Sequence, residues 1–132
     1  MRRNTVGTLG GFTLVEIMIV VAIIALLAAT ITPGILRARK RAQASRILED
    51  LRLIDHAVDQ YAVETGKQSG LNPAFDDLKV YFKANALLYS TGKDLYGNDY
   101  GPFTIDSLPS IPASTKDSLS DVTDTAFWSP YQ

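Results

Sequence analysis

The sequence predicts an α+β protein. One long N-terminal helix, half transmembrane and half amphipathic, packs on a small C-terminal head with a short helix and a small antiparallel sheet. Three observations predict it. Residues 12–36 form an apolar run whose only charge is Glu16, residues 37–65 carry a periodic apolar stripe, and residues 66–132 are rich in turns. The boundaries separate a polar leader over 1–11, a hydrophobic helix over 12–36, an amphipathic half-helix over 37–65 and a head over 66–132.

The leader, MRRNTVGTLGG, holds Arg2 and Arg3 and ends in Gly10-Gly11. The run that starts at Phe12 meets the length requirement of a spanning helix, about 20 apolar residues for a hydrocarbon core roughly 30 Å thick. A secretory signal peptide has a shorter apolar region, and its small-residue cleavage site comes after that region. Here the Gly-Gly pair comes before it, so a cut there leaves the hydrophobic helix on the mature chain.

Pro33-Gly34 near the end of the run predicts a helix break or kink, because proline removes one helical hydrogen bond and crowds the preceding turn. Arg37, Arg39, Lys40 and Arg41 follow. They outnumber the leader's two arginines, and by the positive-inside bias alone they would lie in the cytoplasm. Their partners are lipid headgroups or neighbouring subunits.

Ile47, Leu51, Ile54, Val58 and Tyr61 recur at spacings of four and three, which is one helical face. The other faces carry Arg46 with Asp50 and Glu49 with Arg52, expected as solvated pairs contributing a few tenths of a kcal/mol each. Gly66 is placed to cap the helix. His56, the single histidine, lies off the stripe near Asp59 and reads as a surface residue, since no third ligand is in view.

In the head, Asn72-Pro73 opens a short helix over 75–82, with Asp76 and Asp77 in its first turn as the helix dipole favours. Turn-rich pieces follow around Thr91–Asp94 and Tyr96–Gly101, with a strand expected at Pro102–Ile105. Residues 116–125 read as an acidic loop, and Phe127, Trp128 and Tyr131 as aromatic packing.

Composition excludes several functions. With no cysteine among 132 residues there is no disulfide, thiolate metal site or cysteine nucleophile. No P-loop, Ser/His/Asp arrangement or convincing metal-ligand spacing is present, so the chain does not read as an enzyme. The formal net charge is −1, and from Gly66 onward five lysines face eight aspartates, a net of −3. A negative head does not suit nucleic acid.

G-F-T-L-V-E, Gly11 to Glu16, resembles the prepilin peptidase motif of type IV pilins and type II secretion pseudopilins: a basic leader ending in Gly, then an aromatic residue, Glu at the fifth mature position and a long apolar run. The resemblance implies cleavage between Gly11 and Phe12 by prepilin peptidase and N-methylation of Phe12. It implies that Glu16 pairs with the N-terminal amine of a neighbouring subunit during assembly, and that the helix loosens at Pro33-Gly34 when subunits pack. It also implies a leader on the cytoplasmic side, against the charge bias.

Asp94, Gly97, Asn98 and Tyr100 match the D-P-W-G-N-P-Y segment of major pseudopilins, with Leu95, Tyr96 and Asp99 departing from it. The resemblance implies a single-pass bacterial inner-membrane protein with a periplasmic head, forming a helical homo-oligomeric filament in the periplasm. Its partners would be other pilin-like subunits, an inner-membrane assembly platform and a secretion ATPase. Major pseudopilins often hold calcium in an acidic loop near the C-terminus, which makes Asp117, Asp121 and Asp124 the candidate ligands; the other reading is a solvated loop. The alternative functions are a type IV pilus subunit for adhesion, motility or DNA uptake and, from a different class, a membrane-anchored enzyme or sensor.

Overall fold

The computed structural model describes residues 10–84 and 86–132, so most of the leader, with Arg2 and Arg3, lies outside the described residues. The chain divides into two compact units, Met1–Leu36 and Arg37–Gln132. One helix, α1 (Leu14–Thr65), supplies residues to both.

Thr13 opens α1. Its Oγ1 accepts a hydrogen bond from the Glu16 backbone N–H at 3.2 Å, satisfying a donor that the first turn otherwise leaves unpaired. Glu16 itself lies in that first turn, where the helix dipole favours a carboxylate. At the other end Gly66 adopts φ 63°, the left-handed conformation that terminates helices without a side-chain clash.

The helix break expected at Pro33-Gly34 is not present in this state: α1 is continuous through both residues. Proline withdraws a single N–H from the ladder, and helices in apolar surroundings have no competing partner for the remaining backbone groups.

In the second unit the five stripe residues are all buried. Ile47, Leu51 and Ile54 are fully enclosed, and Val58 and Tyr61 nearly so, with Ala44 and Ala57 widening the face. Each buried aliphatic side chain contributes about 1.5–3 kcal/mol of apolar transfer free energy. Against this stripe close Leu78, Phe82, Leu88, Tyr100, Phe103, Ile105, Ile111, Leu119, Trp128 and Tyr131, gathered from the whole length of the head. Phe127 meets Trp128 edge-on at 5.0 Å, so the closing aromatics are packing residues, as expected.

The head is built from short helices. The segment expected as a helix over 75–82 is α2 (Phe75–Leu78) tightening into a 3₁₀ turn over Lys79–Tyr81. Asp77 Oδ2 accepts from the Ala74 N–H at 3.2 Å, which secures the start of α2. Two further helices, α3 (Leu87–Thr91) and α4 (Ala113–Ser118), were not expected, and a 3₁₀ turn spans Ala126–Trp128. The acidic segment therefore begins on a helix and not in a loop.

The antiparallel sheet is not seen among the described residues, where the one β-type pairing is an isolated bridge between Lys93 and Asp99. Residues 102–105, expected as a strand, pair only at Ile105, which donates to the Leu71 carbonyl at 3.0 Å and accepts from the Gly70 N–H at 3.1 Å. Pro102, Pro109 and Pro112 carry no N–H, and the chain turns at Asp106, so no ladder can extend.

Polar seams supplement the apolar one. Four tyrosine hydroxyls from the head donate to side chains along α1: Tyr96 to Gln43 Oε1 at 3.2 Å, Tyr100 to Asp50 Oδ2 at 3.2 Å, Tyr131 to Asp55 Oδ2 at 3.1 Å and Tyr81 to Glu64 Oε2 at 2.6 Å. The acceptance by Glu64 pushes the Tyr81 hydroxyl up to about 12. Glu49 and Arg52 form the expected surface pair at 3.6 Å. Asp50 corrects the reading of it as a solvated partner of Arg46, because it is buried and held by Tyr100.

Burial raises Asp50 above the ordinary carboxylate range, with the Tyr100 hydrogen bond opposing in part. A raised carboxylate favours folding fully below its unfolded value, and that contribution is lost as pH rises through the folded value. Asp50→Asn keeps an acceptor for Tyr100 without the charge. In thermal unfolding of the full chain it is expected to match or exceed the wild-type melting temperature at pH 7, by on the order of a few degrees. The difference should vanish by about pH 4, near the ordinary carboxylate value. A variant less stable at pH 7 would show that the ionised carboxylate stabilises the fold.

Candidate functional site

The first unit carries the residues expected to act in processing and assembly. Gly11 and Phe12 precede α1, and the Phe12 side chain is 80% exposed. Leu14, Ile17, Ile24, Leu27 and Leu36 are likewise exposed, as are the other described large apolar residues of the run. Such a helix is stable only when something apolar surrounds it. The helix is long and apolar enough to cross a membrane. Glu16 is exposed on it, and among the described residues no ion pair reaches its carboxylate. A carboxylate in an apolar layer calls for a partner, and the described residues provide no ion pair at that position.

The second unit holds the acidic segment. Its anchor is Asp94, buried on a tight loop. Asp94 Oδ1 accepts from the backbone N–H of Tyr96 at 2.8 Å and of Asn98 at 2.9 Å, while Oδ2 takes the hydroxyl of Thr115. Asn98 Nδ2 donates to Thr115 Oγ1 at 2.8 Å. Gly97 sits at φ 84°, which a side chain would strain. Thr115 lies on α4, so this loop fixes the helix that presents Asp117. Each of the four matched positions of the segment therefore contributes to the packing. Asp94 and Asn98 bind α4, Gly97 makes the turn and Tyr100 reaches α1.

The three aspartates expected to converge meet only in pairs, Asp121 and Asp124 lining one concavity with Arg41. Asp117 and Asp124 line one cavity of about 430 Å³ together with Ser120, Thr123, Thr125, Lys116 and Trp128. Asp121 instead holds Lys40 of α1, with both carboxylate oxygens 2.9 Å from the ammonium. This hydrogen bond keeps Asp121 below the ordinary carboxylate range. Among the described residues no three His, Cys, Asp or Glu side chains are grouped to hold a metal ion. His56 is exposed and Asp59 with it.

The donor set that remains in the cavity is all oxygen. Ser120 Oγ and Thr123 Oγ1 spend their protons on the carbonyls of Asp117 and Leu119, which leaves hydroxyl lone pairs free. Asp124 Oδ1 accepts the Phe127 N–H at 2.9 Å, and among the described residues no ion pair reaches the Asp117 carboxylate. Two carboxylates with hydroxyls and carbonyls suit a hard cation such as calcium, with Lys116 the one opposing charge.

Neither the Lys40–Asp121 pair nor the Asp94–Thr115 bond was visible in the sequence, because partners this far apart leave no local pattern. The one usable signal was the segment Asp94–Tyr100, where an aspartate two to four residues before N–H donors reads as a side-chain-closed turn.

The family model of the prokaryotic N-terminal methylation motif matches residues 10–32. Type II secretion system core protein G of Pseudomonas aeruginosa is 30% identical over 115 residues, covering 74% of this chain and 81% of that protein. This chain belongs to the type II secretion system core protein G family. The core protein G of Escherichia coli is 26% identical over 99 residues, 68% of each chain. The type IV wide pilus major component PilA4 of Thermus thermophilus is 66% identical over 32 residues, 24% of each chain. No solved structure matches the chain. The core protein G likeness spans much more of the chain than the methylation motif, whereas the pilus likeness is confined to a short segment.

Proposed function

We propose that the chain is a major pseudopilin, which prepilin peptidase cuts between Gly11 and Phe12 and which polymerises into a periplasmic pseudopilus of a type II secretion system. It is a pilin-like structural subunit and not an enzyme, anchored by its apolar helix, and it works with other pilin-like subunits and a membrane machinery. The observation that carries the reading is the methylation motif at the head of a chain related to core protein G over most of its length.

The rest follows from the same motif and the physics of α1. Residues 12–36 hold the subunit in the inner membrane with the head periplasmic. Phe12 becomes an N-methylated terminus. Glu16, which has no ion pair among the described residues, pairs with that amine on a neighbouring copy, and Pro33-Gly34 loosens as identical helices pack into a helical, non-closing filament. An assembly platform and an ATPase are required, because a helix this apolar does not leave the bilayer unaided. The short, close match to the Thermus pilus component favours a second reading, a type IV pilus subunit for adhesion, motility or DNA uptake. A membrane-anchored enzyme or sensor has no such support. Calcium belongs to the proposal as well: Asp117 and Asp124 hold it, and it supplies a cross-link between α4 and the turn that follows.

N-terminal mass spectrometry of protein from its native membrane is expected to find a chain that starts at N-methylated Phe12. An intact Met1, or a cut after the apolar run, would defeat the reading. Glu16→Ala should be processed normally yet give little or no filament, and wild-type filament levels from it would remove the pairing role. Chelation is expected to lower the melting temperature of the wild-type and Asp121→Asn chains, but to have no effect on Asp117→Asn or Asp124→Asn. A wild-type chain indifferent to chelator rejects the calcium site.

A further inference from the structure

Arg37, Arg39 and Arg41 come directly after Ile35 and Leu36, the last residues of the apolar run. All three are exposed, and among the described residues none is within ion-pair distance of a carboxylate. Lys40, between them, is neutralised by Asp121. Arg37 and Arg41 are one helical turn apart and share the lining of a cavity of about 400 Å³ with Ala38, Val122 and Asp121. The Asp121 carboxylate in that cavity has both oxygens on the Lys40 ammonium and also faces the Arg37 charge, and Arg41 shares a neighbouring concavity with Asp124, so three cations meet two carboxylates and a positive excess remains. Arg39 points to another side of α1 by the helical repeat.

Uncompensated cations at the translocated end of a spanning segment work against its insertion bias, so a compensating ligand is called for. A guanidinium matches a phosphate with two parallel hydrogen bonds, where lysine offers a point charge. The place of these arginines in the chain is where the acyl layer gives way to headgroups.

We propose that the concavity formed by Arg37, Ala38, Arg41 and Val122 binds the phosphate of an anionic phospholipid headgroup, with Arg37 and Arg41 as its ligands. Ala38 and Val122 offer an apolar wall for the first methylenes of the lipid's acyl chains, which a free phosphate would not use. Arg39 adds attraction for a second anionic lipid on the opposite side. The site holds the stored subunit at a set depth in the outer leaflet of its membrane. This inference rests on the membrane-spanning reading of residues 12–36.

The proposal is tested by native mass spectrometry of the full-length chain in detergent with equimolar phosphatidylglycerol and phosphatidylcholine. The wild type is expected to retain phosphatidylglycerol preferentially. Arg37→Gln/Arg41→Gln should lose that preference by on the order of tenfold, Arg37→Lys/Arg41→Lys should fall between, and Arg2→Gln/Arg3→Gln should keep it. Equal retention of both lipids by the wild type would overturn the proposal, as would a preference that follows the leader arginines. So would displacement of the lipid by millimolar inorganic phosphate, which would make this a free-anion site, and so would loss of a chain–chain dimer in place of lipid from the glutamine variant. Retention of each variant in carbonate-washed membranes reads the anchoring separately. An anchored chain without lipid preference sinks this inference alone, whereas a chain washed from the membrane sinks the reading beneath it.

Discussion

Everything in the second unit depends on one apolar stripe, the face of α1 from Ala44 to Tyr61. The head has no cysteine and, among its described residues, no strand, so neither cross-links nor a hydrogen-bonded ladder can hold its loops. Its aromatic and aliphatic side chains are drawn from segments as far apart as Leu78 and Tyr131, and they meet only because the stripe offers each of them a dry surface. Small domains ordinarily need a staple, and here a long helix takes that part.

A stripe alone is slippery, since apolar contact is non-directional. Direction comes from hydroxyls. Tyr81, Tyr96, Tyr100 and Tyr131 each bury or half-cover a ring and place an O–H on a defined acceptor of α1, from Gln43 to Glu64. Lys40 and Asp121 add a fifth tether near the middle of α1, one turn before the stripe begins. Asp94 performs the same service within the head, where it closes its own loop and fastens α4 through Thr115. The head is thus an aromatic cover with a few polar pegs.

The same helix obeys a different rule before residue 37. There the apolar residues face every direction, and Thr13 and Glu16 are the polar groups that begin it. A capping threonine and an acidic residue in the first turn are good local helix chemistry in any protein. The exposed carboxylate within an otherwise apolar layer, without an ion pair among the described residues, is what local chemistry does not explain. The backbone N–H of Glu16 serves the cap, and its carboxylate stays exposed on the helix.

The chain order alone determined the long helix, its apolar and striped halves, the cap at Gly66 and the start of α2. These depend on periodicity and on residues within a turn of one another, which a linear reading captures. The resemblance of Gly11 to Glu16 likewise pointed to the family, because that motif is contiguous. Tertiary structure decided the rest. Asp50 looked like a solvated partner of Arg46 until Tyr100, fifty residues on, covered it. Asp117, Asp121 and Asp124 looked like one site until Lys40 claimed both oxygens of the middle one, while Asp117 and Asp124 line a shared cavity. The expected sheet is not seen among the described residues for a related reason: strand propensity at Pro102–Ile105 is local, but a ladder needs an uninterrupted partner, and the neighbouring prolines and turns do not supply one. What a residue can do is written in its type; which neighbour it meets is settled only when distant segments close on the stripe.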